Sequence, residues 1–175
     1  MSEQSRQTSD VHAALRGLYD TALPHVYGYL LSRCGQPDVA EDLTAETFLA
    51  GVDAVRKEQP TIPSTPWLLG VARHKLADHW RRQAREQRHL QTVADSPQAD
   101  DDPWDERLDA LRAHQVLHQL APQHRAALTL RYVDDLPVAE VASLLGRSPH
   151  ATEALLVRAR AAFRRTYTAK EGSGD

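Results

Sequence analysis

Between Leu136 and Arg160 the apolar residues run in two helical stripes separated by a three-residue break. Val138, Val141, Ala142 and Leu145 fall at i, i+3, i+4 and i+7, the spacing that buries one face of a two-turn helix. Gly146 follows, a residue able to take the left-handed backbone that stops a helix. Ser148 then offers an N-cap, and Pro149 a first helical position that needs no N–H. Thr152, Leu155, Leu156, Ala159 and Phe163 supply a second buried stripe. This is the helix-turn-helix pattern, whose second helix enters the DNA major groove near its N-terminus. Arg147, Ser148, His150, Glu153, Val157 and Arg158 are the exposed candidates for contact there, while Arg160, Arg164, Arg165 and Lys170 suit phosphates further along. A plain helical hairpin with a solvated face has the same apolar spacing, so the motif alone leaves that alternative open.

The rest of the chain also reads as helix. Alanine and leucine dominate the 41% apolar share, isoleucine occurs once (Ile62), and no β-branched alternation appears. Val11 to Arg33 carries Val11, Leu15, Leu18, Ala22, Val26 and Leu30 on one stripe, with Pro24 expected to kink or divide it. Pro37 to about Lys57 places Val39, Leu43, Thr47, Ala50 and Ala54 together. Glu58 to Thr65, with Pro60 and Pro63, reads as a loop, and Thr65 is expected to cap a third helix running to about His89. Residues 91 to 103 form a flexible acidic linker in this reading. Asp102 and Pro103 open a helix through Leu108, Leu111, Val116, Leu117 and Leu120, and Pro122 opens another through Leu130 and Tyr132. The expected architecture is all-α: a helical bundle over residues 10–90, the linker over 91–103, and a helix-turn-helix domain over 104–170.

Charge is segregated along this frame. The formal net charge of −3 excludes a simple basic coating protein, so nucleic-acid affinity must be local. The third helix carries Arg73, His74, Lys75, Asp78, Arg81, Arg82, Arg85 and Arg88 with Trp80 interleaved. Cations that hold phosphates, with a ring that stacks on bases, suit single strands or a melting duplex. The second helix is its opposite: Asp38, Asp42, Glu46 and Asp53 lie on one line with Leu49 among them, a face suited to a basic protein partner. Either face also reads as solvated surface. Cys34 is the single cysteine, which rules out an internal disulfide or cysteine zinc cluster and suits a small buried residue. The polar N-terminus and the lack of a long apolar run point to a cytoplasmic protein without membrane insertion. His114 and His118, at i and i+4, and Asp100 to Asp102 are the nearest approach to a metal site, but no catalytic or phosphate-loop motif accompanies them. Neither an enzyme nor a cofactor is expected. A stand-alone helix-turn-helix repressor or activator stays open on these features.

Three stretches, in order, resemble the extracytoplasmic-function (ECF) sigma factors of bacterial RNA polymerase. Asp38-Val39-Ala40-Glu41-Asp42-Leu43-Thr44-Ala45-Glu46-Thr47-Phe48 is similar to that family's core-binding helix. Trp67 to Arg73, followed by Asp78 and Arg81-Arg82, is similar to its −10 stretch, and Leu120 to Arg160 to its −35 domain. The resemblance implies that Asp38, Asp42, Glu46, Phe48 and Leu49 meet the β′ clamp helices of core polymerase, with the β flap as a second contact. It implies that Arg73, His74, Lys75, Asp78, Arg81, Arg82 and Arg85 serve the −10 element and its melting. It further implies that the helix-turn-helix reads the −35 element of promoter DNA, that the linker threads through polymerase, and that an anti-sigma factor is a partner. Two departures stand out: His74 replaces the family's usual Asn, and Glu153-Ala154-Leu155 replaces a basic-Ser-Arg run. A carboxylate repels phosphate but accepts from a cytosine amino group.

Overall fold

The computed structural model describes residues 3–57, 63–90 and 110–169, and every regular element among them is helical. The order is α1 (Glu3–Cys34), α2 (Pro37–Arg56), α3 (Thr65–Leu90), α4 (Ala110–Gln119), α5 (Pro122–Leu128), a π-helical turn (Thr129–Val133), α6 (Val138–Leu145) and α7 (Pro149–Ala169). The expected linker, the tip of the loop before α3, and Asp100 to Asp109 lie outside the described residues. By backbone proximity the chain groups into two compact units, residues 1–76 and 77–175, with the division inside α3.

In the first unit α1 packs against α2. α1 begins earlier than its apolar stripe and runs through Pro24 as one helix. Ala22, Val26, Leu30 and Cys34 are buried along it, while Leu15 and Leu18 are half-buried. Gly35, at φ 70°, ends α1, and its N–H donates to Leu31 O at 2.9 Å. The buried face of α2 is rotated from the expected one: Ala40, Leu43, Thr44, Thr47, Gly51 and Ala54 point inward, and Val39 and Ala50 sit at its margin. Small residues explain the rotation. A Cβ at Gly51 would lie 3.2 Å from Leu68 Cδ2, so α3 approaches α2 where a side chain is missing. The two buried threonines satisfy their hydroxyls internally, Thr44 donating to Ala40 O and Thr47 to Leu43 O at 2.6 and 2.7 Å. Ser64, not Thr65, caps α3: its Oγ accepts from Trp67 N at 3.3 Å, and its carbonyl from Leu68 N.

The second unit holds the C-terminal turns of α3 together with α4 to α7. α7 is its spine, packed by α4, α5 and α6. Val116, Leu128, Leu130, Val141, Leu155, Ala159 and Phe163 form the centre of its core. Leu111, one of the apolar residues along which this helix was expected, is 78% exposed. Arg125 of α5 closes the end of α4 by donating to Leu117 O, His118 O and Leu120 O at 3.1, 2.6 and 3.3 Å. Leu117 O and His118 O belong to the last turn of α4, where carbonyls run short of intrahelical donors (Leu117 O also accepts from Leu120 N), and a cation there meets the negative end of the helix dipole. At the other end of α4, Arg112 donates to Tyr167 O and lies over the Tyr167 ring at 4.1 Å.

Candidate polymerase and nucleic-acid interfaces

The acidic face of α2 is solvent-exposed. Asp38, Asp42 and Asp53 are exposed, Glu46 is half-buried, and Leu49 is 64% exposed among them. Leu49 is therefore an apolar spot in an anionic setting, without a core role. Phe48 is half-buried beneath this face, its ring 4.7 Å from that of Tyr19 on α1. That tilted ring contact ties the middle of α2 to α1.

On α3, His74, Asp78, Arg82 and Arg85 are exposed and Arg73, Lys75 and Arg81 are half-buried. Two of the cations carry carboxylate partners: Lys75 Nζ is 3.3 Å from Glu46 Oε2, and Arg81 pairs with Asp78 one turn back. Lys75 and Arg81 are thus engaged with carboxylates, while the exposed Arg82 and Arg85 beside them have no carboxylate partner among the described residues. Trp80 is corrected by the structure. Expected as a ring for base stacking, it is 1% exposed and serves as core of the second unit, with its indole N–H lacking a partner among the described residues.

The helix-turn-helix is formed by α6, Gly146 to Ser148, and α7. Gly146 adopts φ 61°, ψ 40°; its N–H donates to Ser143 O and that of Arg147 to Ala142 O, which satisfies the last carbonyls of α6. Ser148 Oγ accepts from Ala151 N at 3.2 Å, so this side chain is engaged as the cap of α7. All five expected anchors of α7 (Thr152, Leu155, Leu156, Ala159, Phe163) are buried. His150 and Glu153 are exposed on its first turns, and Val157 and Arg158 half-buried beyond them. Arg147 is half-buried; its guanidinium is pushed below the usual arginine range first by burial and then by the like charges of Arg88 and Arg158. An anion placed at this cluster relieves that repulsion. Arg81, Arg85, Arg88 and Arg147 line one cavity of this unit, about 380 Å³ in volume.

The sigma-70 region 2 family matches residues 18–86 and the sigma-70 region 4 family matches residues 110–163. The RNA polymerase sigma factor CarQ of Myxococcus xanthus is 30% identical over 145 residues, covering 79% of this chain and 80% of CarQ. The ECF RNA polymerase sigma factor SigL of Mycobacterium tuberculosis is 31% identical, covering 77% of each chain. The chain belongs to the ECF sigma factors. A further ECF sigma factor, BldN of Streptomyces coelicolor, is 32% identical over 81% of this chain, a match that spans 56% of BldN's own length. Among solved structures, the sigma factor RpoE of Bartonella quintana, in complex with the anti-sigma factor NepR, shares the fold with a TM-score of 0.52 at 19% identity, covering 87% of this chain and 96% of that one.

Some features of this ECF sigma factor have no strong sequence signal. Arg125 is one cation among many until its three carbonyl partners are seen. The π-helical turn looks like ordinary helix in its apolar spacing, and the pairing of Lys75 with Glu46 joins segments 29 positions apart in sequence. No helix among the described residues is long and apolar enough to cross a membrane, and none of them forms a group of three or more potential metal ligands.

Proposed function

We propose that this sigma factor binds core RNA polymerase through the exposed face of α2, with Asp38, Asp42, Glu46 and Leu49 on the β′ clamp helices and Phe48 supporting them from beneath. The β flap is the second polymerase contact, made by the second unit. Arg73, His74, Lys75, Asp78, Arg81, Arg82 and Arg85 of α3 recognise and open the −10 element. Arg147, Ser148, His150, Glu153, Val157 and Arg158 face the −35 element. The chain acts as a non-enzymatic cytoplasmic initiation factor, organised as region 2 over 10–90, an acidic linker over 91–103 and region 4 over 104–170. An anti-sigma factor is a partner in this reading, as NepR is for the Bartonella protein.

One observation carries the reading: an exposed acidic helix with an apolar spot, a basic helix and a helix-turn-helix lie in that order in one chain. A repressor that reads duplex DNA alone needs only the last of them. The decisive experiment reconstitutes the chain with core polymerase and selects from duplexes randomised at −35 and −10, followed by run-off transcription from the enriched pool. Sequence-specific start sites that need both proteins support the proposal. Tight binding of the free chain to a palindromic duplex, without polymerase, overturns it.

A further inference from the structure

Between α5 and α6 the helical ladder widens. Asp134 N donates to Thr129 O at 2.9 Å and Leu136 N to Leu130 O at 3.1 Å, spans of five and six residues. Arg131 closes the turn by donating to Leu136 O at 3.2 Å, and Asp135 takes a left-handed φ of 52°. Such wide turns redirect side chains that a regular helix would place elsewhere. Here Thr129 and Leu130 stay in the core while Tyr132 is turned outward, 43% exposed.

The Tyr132 hydroxyl meets α7, where it accepts from Arg160 Nη1 at 2.9 Å. Among the described residues Arg160 has no carboxylate partner, so the bond fixes the guanidinium and leaves its charge uncompensated. Arg160 follows Glu153 and Val157 by seven and three positions, on the same stripe of α7. At 1.5 Å per residue it stands about 10.5 Å along the axis from Glu153. That offset is close to the ~12 Å width of a major groove, a spacing compatible with a phosphate contact by Arg160 when Glu153 faces a base edge.

We infer that Tyr132 is a positioning residue for promoter binding, its hydroxyl holding Arg160 ready for a DNA phosphate beside the −35 element. This rests on the −35 reading of α7 proposed above. The π-helical turn is the device that delivers the phenol to the recognition helix. A neutral partner suits the task, since a carboxylate would hold the arginine equally well and cancel the charge it must present.

The test uses holoenzyme reconstituted with core polymerase and the duplexes selected as above. Affinity is measured as a function of salt for wild type, Tyr132→Phe, Arg160→Ala and the double variant, with circular dichroism melting of each free chain. Arg160→Ala is expected to make the slope of log K against log salt less steep by about one. Tyr132→Phe is expected to weaken binding about three- to tenfold, with an unchanged melting curve and unchanged base preference. The double variant should bind DNA as Arg160→Ala does, because the inferred effect of the hydroxyl on DNA is carried by the arginine. Tyr132→Phe with wild-type affinity and slope, or a double variant in which the two losses multiply, overturns the inference alone. A wild-type holoenzyme that selects no −35 sequence overturns the −35 reading and this inference with it.

Discussion

Lys75 on α3 and Glu46 on α2 form an ion pair, with the lysine Nζ 3.3 Å from the glutamate Oε2. Each side chain is more than a third exposed, so the pair contributes at most ~1 kcal/mol to stability. Its interest lies in what it joins. A carboxylate of the proposed polymerase face is shared with a cation of the proposed −10 helix, so a substitution at either residue disturbs both. Asp42, exposed on the same α2 face, is the cleaner probe.

Asp42→Arg should abolish association with core polymerase while the chain keeps its helical content, because a cation then faces a surface chosen for anions. Glu46→Arg should do the same and also place two cations side by side at Lys75. Co-purification with tagged core polymerase measures both. If the double charge reversal still co-purifies at wild-type level, α2 is not the docking helix.

Arg82 is exposed on α3, whereas its neighbour Arg81 pairs with Asp78. Arg82→Ala should therefore slow open-complex formation about three- to tenfold by itself, and Arg81→Ala/Arg82→Ala somewhat further. Permanganate reactivity of unpaired thymines at the −10 element reads the effect, beside a polymerase-binding titration that should stay within about twofold of wild type. Equal loss in both measurements would remove these arginines from a promoter role.

Arg125→Ala should destabilise the second unit by roughly 2–3 kcal/mol, since three carbonyls at the end of α4 lose a charged donor together. Arg125→Lys should recover only part of this, because one ammonium lacks the planar fork that reaches all three. Chemical denaturation followed by far-UV circular dichroism gives the difference. A loss below about 0.5 kcal/mol would show that water replaces the guanidinium without penalty.

Glu153→Gln should relax the preference at one −35 base pair, worth ~1–3 kcal/mol, while raising affinity for unrelated duplexes as a repulsive charge is removed. Selection from randomised duplexes by wild-type and variant holoenzyme compares the two. An identical selected sequence would place Glu153 away from the base edges.

The helix-turn-helix was the most legible part of the chain because its signals are local. Gly146 stops α6, Ser148 caps α7, and the five anchors of α7 recur at helical spacing, so backbone preference and burial agree within one segment. The face of α2 was legible in charge and in part in burial, since Leu43, Thr47 and Ala54 lie inside as expected. Ala40 and Gly51 replace Val39 and Ala50 at the inner surface because close approach to a neighbouring helix favours small residues over merely apolar ones. The cap of α3 was misplaced by one residue, since both Ser64 and Thr65 carry a capping hydroxyl and only the backbone decides which one precedes the first turn.

The sequence alone determined the helical class, the order of acidic helix, basic helix and helix-turn-helix, and the exposed charge on each, since all follow from periodicity and residue type along a few turns. Tertiary structure alone decided which of those charges are spoken for. Trp80 became core, Lys75 met Glu46, Arg125 sealed the end of α4, and Tyr132 reached Arg160 through a widened turn. Each of these depends on where two elements meet, close in sequence for Arg125 and distant for the Lys75–Glu46 and Tyr132–Arg160 pairs, and hydrogen bonds and burial are set by that meeting.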